Sequence, residues 1–320
     1  MNLARLRRRL GKSAIRYWPA WLAIGLLRSV EPLPYPVLLR IGRAIGRIAG
    51  ALPLAHVRIA RRNIELCLPE LSAVARETLL KRHFESLGIG ACETAMTWWS
   101  DDQRVSSLSQ VEGLAHLHRA LARGRGAMLI GGHFTTIEIG TRILGTVVPI
   151  NVLYRPLKDE GLSEFMASRI AQHAQQAIRT DDIRALVRAL RQNCAVWYAP
   201  DQFSCDKGAA MIPFFGTPAA TTIATSRLAR LTGAAVLTCF PQRLPDGQGY
   251  RVVIGPELEQ FPSEEPVADA RRFGALLEAQ IRLQPEQYLW VHRRFKRLTA
   301  DCPDYYGRDA RSFSGPPRSA

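Results

Sequence analysis

The residues best placed by type and spacing to do chemistry are His133 and Glu138, in Gly131-Gly132-His133-Phe134-Thr135-Thr136-Ile137-Glu138, directly after the apolar run Ala127-Met128-Leu129-Ile130. An imidazole where a buried strand ends can serve as a general base, because histidine exchanges its proton near neutral pH. A carboxylate five residues on can hold the ring in one tautomer and stabilise the imidazolium. The same residues also read as a capping box, Thr135-x-x-Glu138, in which the glutamate serves only the start of a helix. Regular helix geometry sets positions i and i+5 about 140° apart, so the pair meets only if His133 lies ahead of the helix proper. The preceding Gly-Gly permits that.

Two further apolar runs end on polar residues. Val147–Tyr154 delivers Tyr154-Arg155-Pro156, and Ala195–Ala199 delivers Pro200-Asp201-Gln202. Together with Ala127–Ile130, Ala234–Phe240 and Tyr250–Ile254 these runs read as strands. Helix-like segments at 135–145, 161–177, 181–192 and 220–232 separate them. This alternation predicts an α/β fold, a mostly parallel central sheet flanked by helices, with functional groups at the carboxyl ends of the strands. A base (His133), a permanent cation (Arg155) and a carboxylate (Asp201) then share one rim. Singly, Arg155 also reads as a surface ion-pair residue and Asp201 as a turn initiator after proline. From about 19 to 110 the apolar spacing is helical, as in Leu38-Leu39-Ile41-Ala44-Ile45-Ile48.

With 320 residues, 47% of them hydrophobic, the chain can bury a large core, and its formal net charge of +15 asks for an anionic partner. Arg5, Arg7, Arg8, Arg9, Lys12, Arg16 and Arg28 precede the first acid, Glu31, and enclose the Trp-rich apolar stretch 17–27. That is membrane-surface chemistry. The stretch falls short of the roughly twenty residues that span a bilayer and lacks a convincing signal-cleavage site, so residues 1–30 read as a retained anchor on the cytoplasmic side. A solvated basic tail ahead of a core helix is the plainer reading. Residues 31–300 read as one domain, helical to about 110, and 301–320, rich in Gly, Ser, Pro and Arg, as a disordered tail. The 6 cysteines are scattered without C-x2-C spacing, and His116-x-His118 lacks further ligands, so neither a disulfide framework nor a metal site is expected. No G-x-S-x-G elbow and no helix-turn-helix, zinc-finger or RNP pattern is present, which argues against a serine hydrolase and a nucleic-acid binder.

H-x4-D/E is the signature of acyltransferases, and the chain resembles one family of them at several places in collinear order. Asn63–Leu71, Gly131–Gly140, Tyr154-Arg155-Pro156, Val196–Asp201, Pro213-Phe214-Phe215-Gly216 with Ala219–Thr222, and Pro285–Lys296 are similar to the late lipid A acyltransferases of Gram-negative bacteria, of lauroyl or myristoyl transferase type. The match covers about residues 15–298. The resemblance implies a glycerolipid-acyltransferase-like fold, an inner-membrane location, and no cofactor. It also implies transfer of an acyl group from acyl-acyl carrier protein to a hydroxyl of a Kdo-bearing lipid A precursor. His133 would then deprotonate that hydroxyl, Glu138 orient and charge-stabilise the imidazole, and Arg155 and Asp201 support substrate or transition state. One departure is the thin run of cations in 169–179, only Arg169 and Arg179, where a dense basic cluster is expected. The alternatives are the same chemistry on a glycerophospholipid or other glycolipid, and a non-enzymatic basic membrane-binding protein.

Overall fold

A computed structural model describes residues 17–205, 208–298 and 302–307. The N-terminal third is helical, as its apolar spacing predicts: α1 (Trp18–Val30), α2 (Tyr35–Ala51), α3 (Ala55–Cys67), α4 (Ala73–Trp99) and α5 (Asp102–Ser107). The longest, α4, starts where the Ser72 hydroxyl accepts the Ala75 N–H at 3.2 Å. The remainder alternates: β1 (Ser109–Glu112), α6 (Leu114–Leu121), β2 (Ala127–Ile130), α7 (Ile137–Val147), β3 (Ile150–Tyr154), α8 (Glu160–Ile170), β4 (Gln176–Arg179), α9 (Ile183–Arg191), β5 (Ala195–Tyr198), β6 (Ala209–Phe214), β7 (Thr217–Thr222), α10 (Ala224–Thr232), β8 (Ala235–Arg243), β9 (Tyr250–Glu257) and α11 (Pro266–Leu283).

Seven strands form one sheet in the order β1-β9-β8-β2-β5-β3-β4. Neighbours from β8 to β4 pair in parallel, while β9 runs antiparallel to β8 and carries β1 parallel to itself. The central strand β2 is buried on both faces, which is why Ala-Met-Leu-Ile reads as an unbroken apolar run rather than an alternation. Met128 and Ile130 point into one core with α9, α10 and α11; Ala127 and Leu129 point into the other with α2, α7 and the end of α8.

Local departures from the expected elements have physical reasons. The helix expected over 161–177 stops at Ile170, and Gln176–Arg179 instead continues the sheet as an edge strand on β3. The start of the expected 220–232 helix belongs to a hairpin, β6/β7, closed by Phe215 and Gly216 with φ of 49° and 75°. Pro149 separates the end of α7 from β3, so the strand expected from Val147 begins at Ile150.

The basic residues 5–16 lie outside the described residues. Described α1 exposes Trp18, Leu22 and Leu26. Among the described residues no helix is long and apolar enough to cross a membrane. Of the tail expected to be disordered, 302–307 is placed: Tyr305 joins the core, and the Tyr306 hydroxyl donates to Asn63 Oδ1 at 2.6 Å. Two aromatic side chains in that short polar stretch give it an apolar surface to bury.

Candidate active site

The carboxyl ends of β2, β3 and β5 open onto a cleft of about 660 Å3, and His133, Glu138 and Arg155 all line it. The loop after β2 must turn tightly between β8 and α11. A Cβ on Gly131 would stand 2.5 Å from the Cys239 carbonyl oxygen, and one on Gly132 would stand 2.5 Å from Leu277 Cδ1. At 131 the obstacle is a backbone oxygen and only glycine fits, and the turn leaves His133 ahead of α7, which begins at Ile137.

Asp201, from the end of β5, takes both hydrogen-bonding groups that His133 presents on its inner side. The His133 backbone N–H donates to Oδ2 at 2.9 Å, and Nδ1 lies 2.5 Å from Oδ1. Burial works against the charge of Asp201. The His133 charge and hydrogen bonds, aided by Arg294, more than offset it and hold the carboxyl below its ordinary range. An ionised carboxylate only accepts, so Nδ1 carries the hydrogen and Nε2 is the basic nitrogen. The His133 side chain is 27% exposed against 1% for Asp201, so the pair is sealed behind and open in front. Nε2 has no protein partner among the described residues.

Glu138 stands in the first turn of α7 and lines the same cleft. It does not cap the helix: Thr135 spends its hydroxyl on Ser86 Oγ at 2.7 Å, and Thr136 donates to the Pro241 carbonyl at 3.1 Å. Its carboxylate receives no hydrogen bond from a protein group among the described residues. Desolvation raises its pKa, partly countered by the charge of His133. The geometry therefore divides the work expected of Glu138: Asp201 occupies Nδ1, and Glu138 faces the ring electrostatically from the cleft wall. Arg155 is exposed at the end of β3 and has no carboxylate partner among the described residues.

Sequence reasoning passed over the residues behind Asp201. Tyr288 makes a side-chain hydrogen bond to it, and Arg294 is buried with Nη1 on the Ala220 carbonyl at 2.7 Å and Nη2 on Thr221 Oγ1 at 2.5 Å. His292 accepts the Phe203 N–H on Nε2 at 3.1 Å, and burial pushes its pKa down to about 4, so it stays a neutral imidazole. Their segment reaches the site from about 155 residues away through a bridge between Phe134 and Tyr288 and a 2.9 Å bond from the Leu289 N–H to the His133 carbonyl. The Pro285–Lys296 motif was the only signal of it.

A second polar network fixes the loop from behind. Arg243 meets Glu93 through Nε at 2.5 Å and Nη2 at 2.6 Å and donates to Ser86 Oγ at 2.8 Å, while Tyr250 donates to Glu93 at 2.7 Å. Ser86 and the Gln287 carbonyl, which accepts the Thr135 N–H at 2.7 Å, then hold Thr135, two residues from His133.

Comparison with known proteins places this chain in a family. Residues 9–297 match the model of the bacterial lipid A biosynthesis acyltransferases. The chain is 42% identical to the lipid A biosynthesis palmitoleoyltransferase of Escherichia coli (strain K12), over 88% of this chain and 92% of that one. It is 36% identical to the lauroyltransferase of the same organism, over 91% and 95%, and 23% identical to the myristoyltransferase, over 92% of each. With the H-x4-E residues lining one cleft and a family match across nearly the whole described chain, the protein belongs to the bacterial lipid A biosynthesis acyltransferases.

Proposed function

We propose that the protein moves a fatty acyl group from acyl-acyl carrier protein to a free hydroxyl of a Kdo-bearing lipid A precursor, at the cytoplasmic face of the inner membrane. The observation that carries the mechanism is the Asp201–His133 contact, which leaves Nε2 as the base inside the cleft. Nε2 takes the proton of the acceptor hydroxyl as its oxygen attacks the thioester carbonyl. The tetrahedral intermediate collapses by breaking the C–S bond, and the imidazolium returns the proton to the departing thiolate. Asp201 and Glu138 stabilise the imidazolium while it exists. Arg155, through its planar guanidinium, meets the charge on the carbonyl oxygen or on an acceptor phosphate. The apolar wall, with Ile137, Val152, Met166, Leu186 and Trp197, suits an acyl chain. The exposed apolar residues of α1 and the basic residues before it would rest on the anionic leaflet.

An acceptor panel tests this reading. The purified protein is given acyl-acyl carrier protein with either a Kdo-bearing lipid A precursor or a lysophospholipid, and products are identified by mass. Acylation of the precursor alone is expected; acylation of the lysophospholipid alone would overturn the acceptor assignment.

A further inference from the structure

Helix α9 carries Arg184, Arg188 and Arg191 at three- and four-residue spacing, which sets them on one exposed face. None of the three has an ion-pair partner among the described residues. The acids just before α9 are engaged within the chain: Asp181 is held by Arg179 at 2.8 Å, and Asp182 caps α9 by accepting the Ala185 N–H at 2.9 Å. Between these arginines and α10 lies an open groove of about 630 Å3, whose apolar floor includes Ile183, Val187 and Leu231. Ile183 and Leu231 are 49% and 57% exposed and, with Val187, form a contiguous apolar patch. Ile183 also lines the catalytic cleft, so the groove runs up to the cleft mouth.

We infer that this groove is the docking surface for the acidic carrier protein that presents the acyl thioester. The inference rests on the donor named above. An apolar floor ringed by unneutralised arginines matches a small acidic helical partner with an apolar face, and charges at such a rim steer encounter. The surface also faces away from the membrane-seeking helix. Trp21 of α1 packs on Phe165 of α8 with ring centroids 5.5 Å apart, and Val30 and Ile170 belong to the core on the α7 face of the sheet. Leu186, Leu190 and Leu228, from α9 and α10, belong to the core on the other face. A protein lying on lipid through α1 thus turns α9 and α10 toward solvent, where a soluble carrier approaches, and a carrier seated there delivers its arm directly into the cleft.

The test compares the full chain with an Arg184→Glu/Arg188→Glu/Arg191→Glu variant on two donors bearing the same acyl chain, acyl-acyl carrier protein and acyl-pantetheine. The variant is expected to show a KM for the carrier donor raised by roughly tenfold or more at low salt, a gap that narrows at high salt. Turnover of acyl-pantetheine is expected to be unchanged. The corresponding triple Arg→Gln variant, milder for helix α9, is expected to move the carrier KM in the same direction. An unchanged carrier KM, equal losses on both donors in both variants, or loss of binding to anionic vesicles without a change in carrier KM would overturn the docking surface. A wild-type protein that uses acyl-pantetheine but not the carrier donor would overturn the donor reading itself and the surface with it.

Discussion

Replacing Asp201 by Asn changes one atom and breaks the tautomer of His133. Asp201 accepts from two His133 donors at once, the backbone N–H at 2.9 Å on Oδ2 and Nδ1 at 2.5 Å on Oδ1. An amide has one oxygen for those two donors. If that oxygen faces Nδ1, the amide NH2 opposes the backbone N–H. If the NH2 faces Nδ1 instead, it donates to that nitrogen and forces the hydrogen onto Nε2, which then cannot act as a base. The second arrangement satisfies both His133 groups, so it is the one we predict. Losing the correct tautomer in a histidine–carboxylate pair lowers kcat by roughly 10²–10⁴, about 3–5 kcal/mol of barrier. Because Asp201 is sealed from the cleft, KM for both substrates should barely move. Steady-state transfer of a labelled acyl chain measures both constants, and circular dichroism establishes that the variant is folded. A kcat within about threefold of wild type, or a loss confined to KM, would refute the assignment of Nδ1 to Asp201 as a catalytic requirement.

Glu138→Gln should lower turnover while leaving thermal stability equal or higher. Burial raises the Glu138 carboxyl above its unfolded value, so its contribution is favourable only at acidic pH and is lost as pH rises; a drop in Tm with intact turnover would restore a structural role. Burial pushes His83, His173 and His292 down to about 4 from 6.5, so the unfolded chain binds protons that the native state refuses. Tm should therefore fall as pH is lowered from about 6.5 to about 4, and a flat profile across that window would contradict the burial of these rings. Removing residues 1–28 should release much of the protein from anionic vesicles, since each basic residue near such a surface contributes about 1 kcal/mol; undiminished binding would place the contact elsewhere.

The sheet was legible because parallel strands buried on both faces leave continuous apolar runs, and β2 and β5 lie where Ala127–Ile130 and Ala195–Ala199 predict them. Strand β4 was not, because Gln176–Arg179 is a short edge strand whose pairing with β3, rather than its own composition, decides its conformation. The same distinction runs through the site. His133 and Glu138 are five residues apart and visible as a motif, while Asp201 showed as a polar residue at a strand end and, through the resemblance, as a supporting residue rather than the partner of the imidazole. Its bond to Nδ1 depends on β2 and β5 being neighbours, which no local pattern encodes. Tyr288, His292 and Arg294 come from the segment after α11, at a separation that only the folded chain closes.

The most direct test of His133 as the general base is the mass of the lipid product formed by purified wild type and by His133→Ala, each incubated with acyl-acyl carrier protein and a Kdo-bearing lipid A precursor. Wild type is expected to add one acyl chain to the precursor, and folded His133→Ala to form the same product slower by about 10²–10⁴. A His133→Ala variant that acylates the precursor at nearly the wild-type rate would contradict that role.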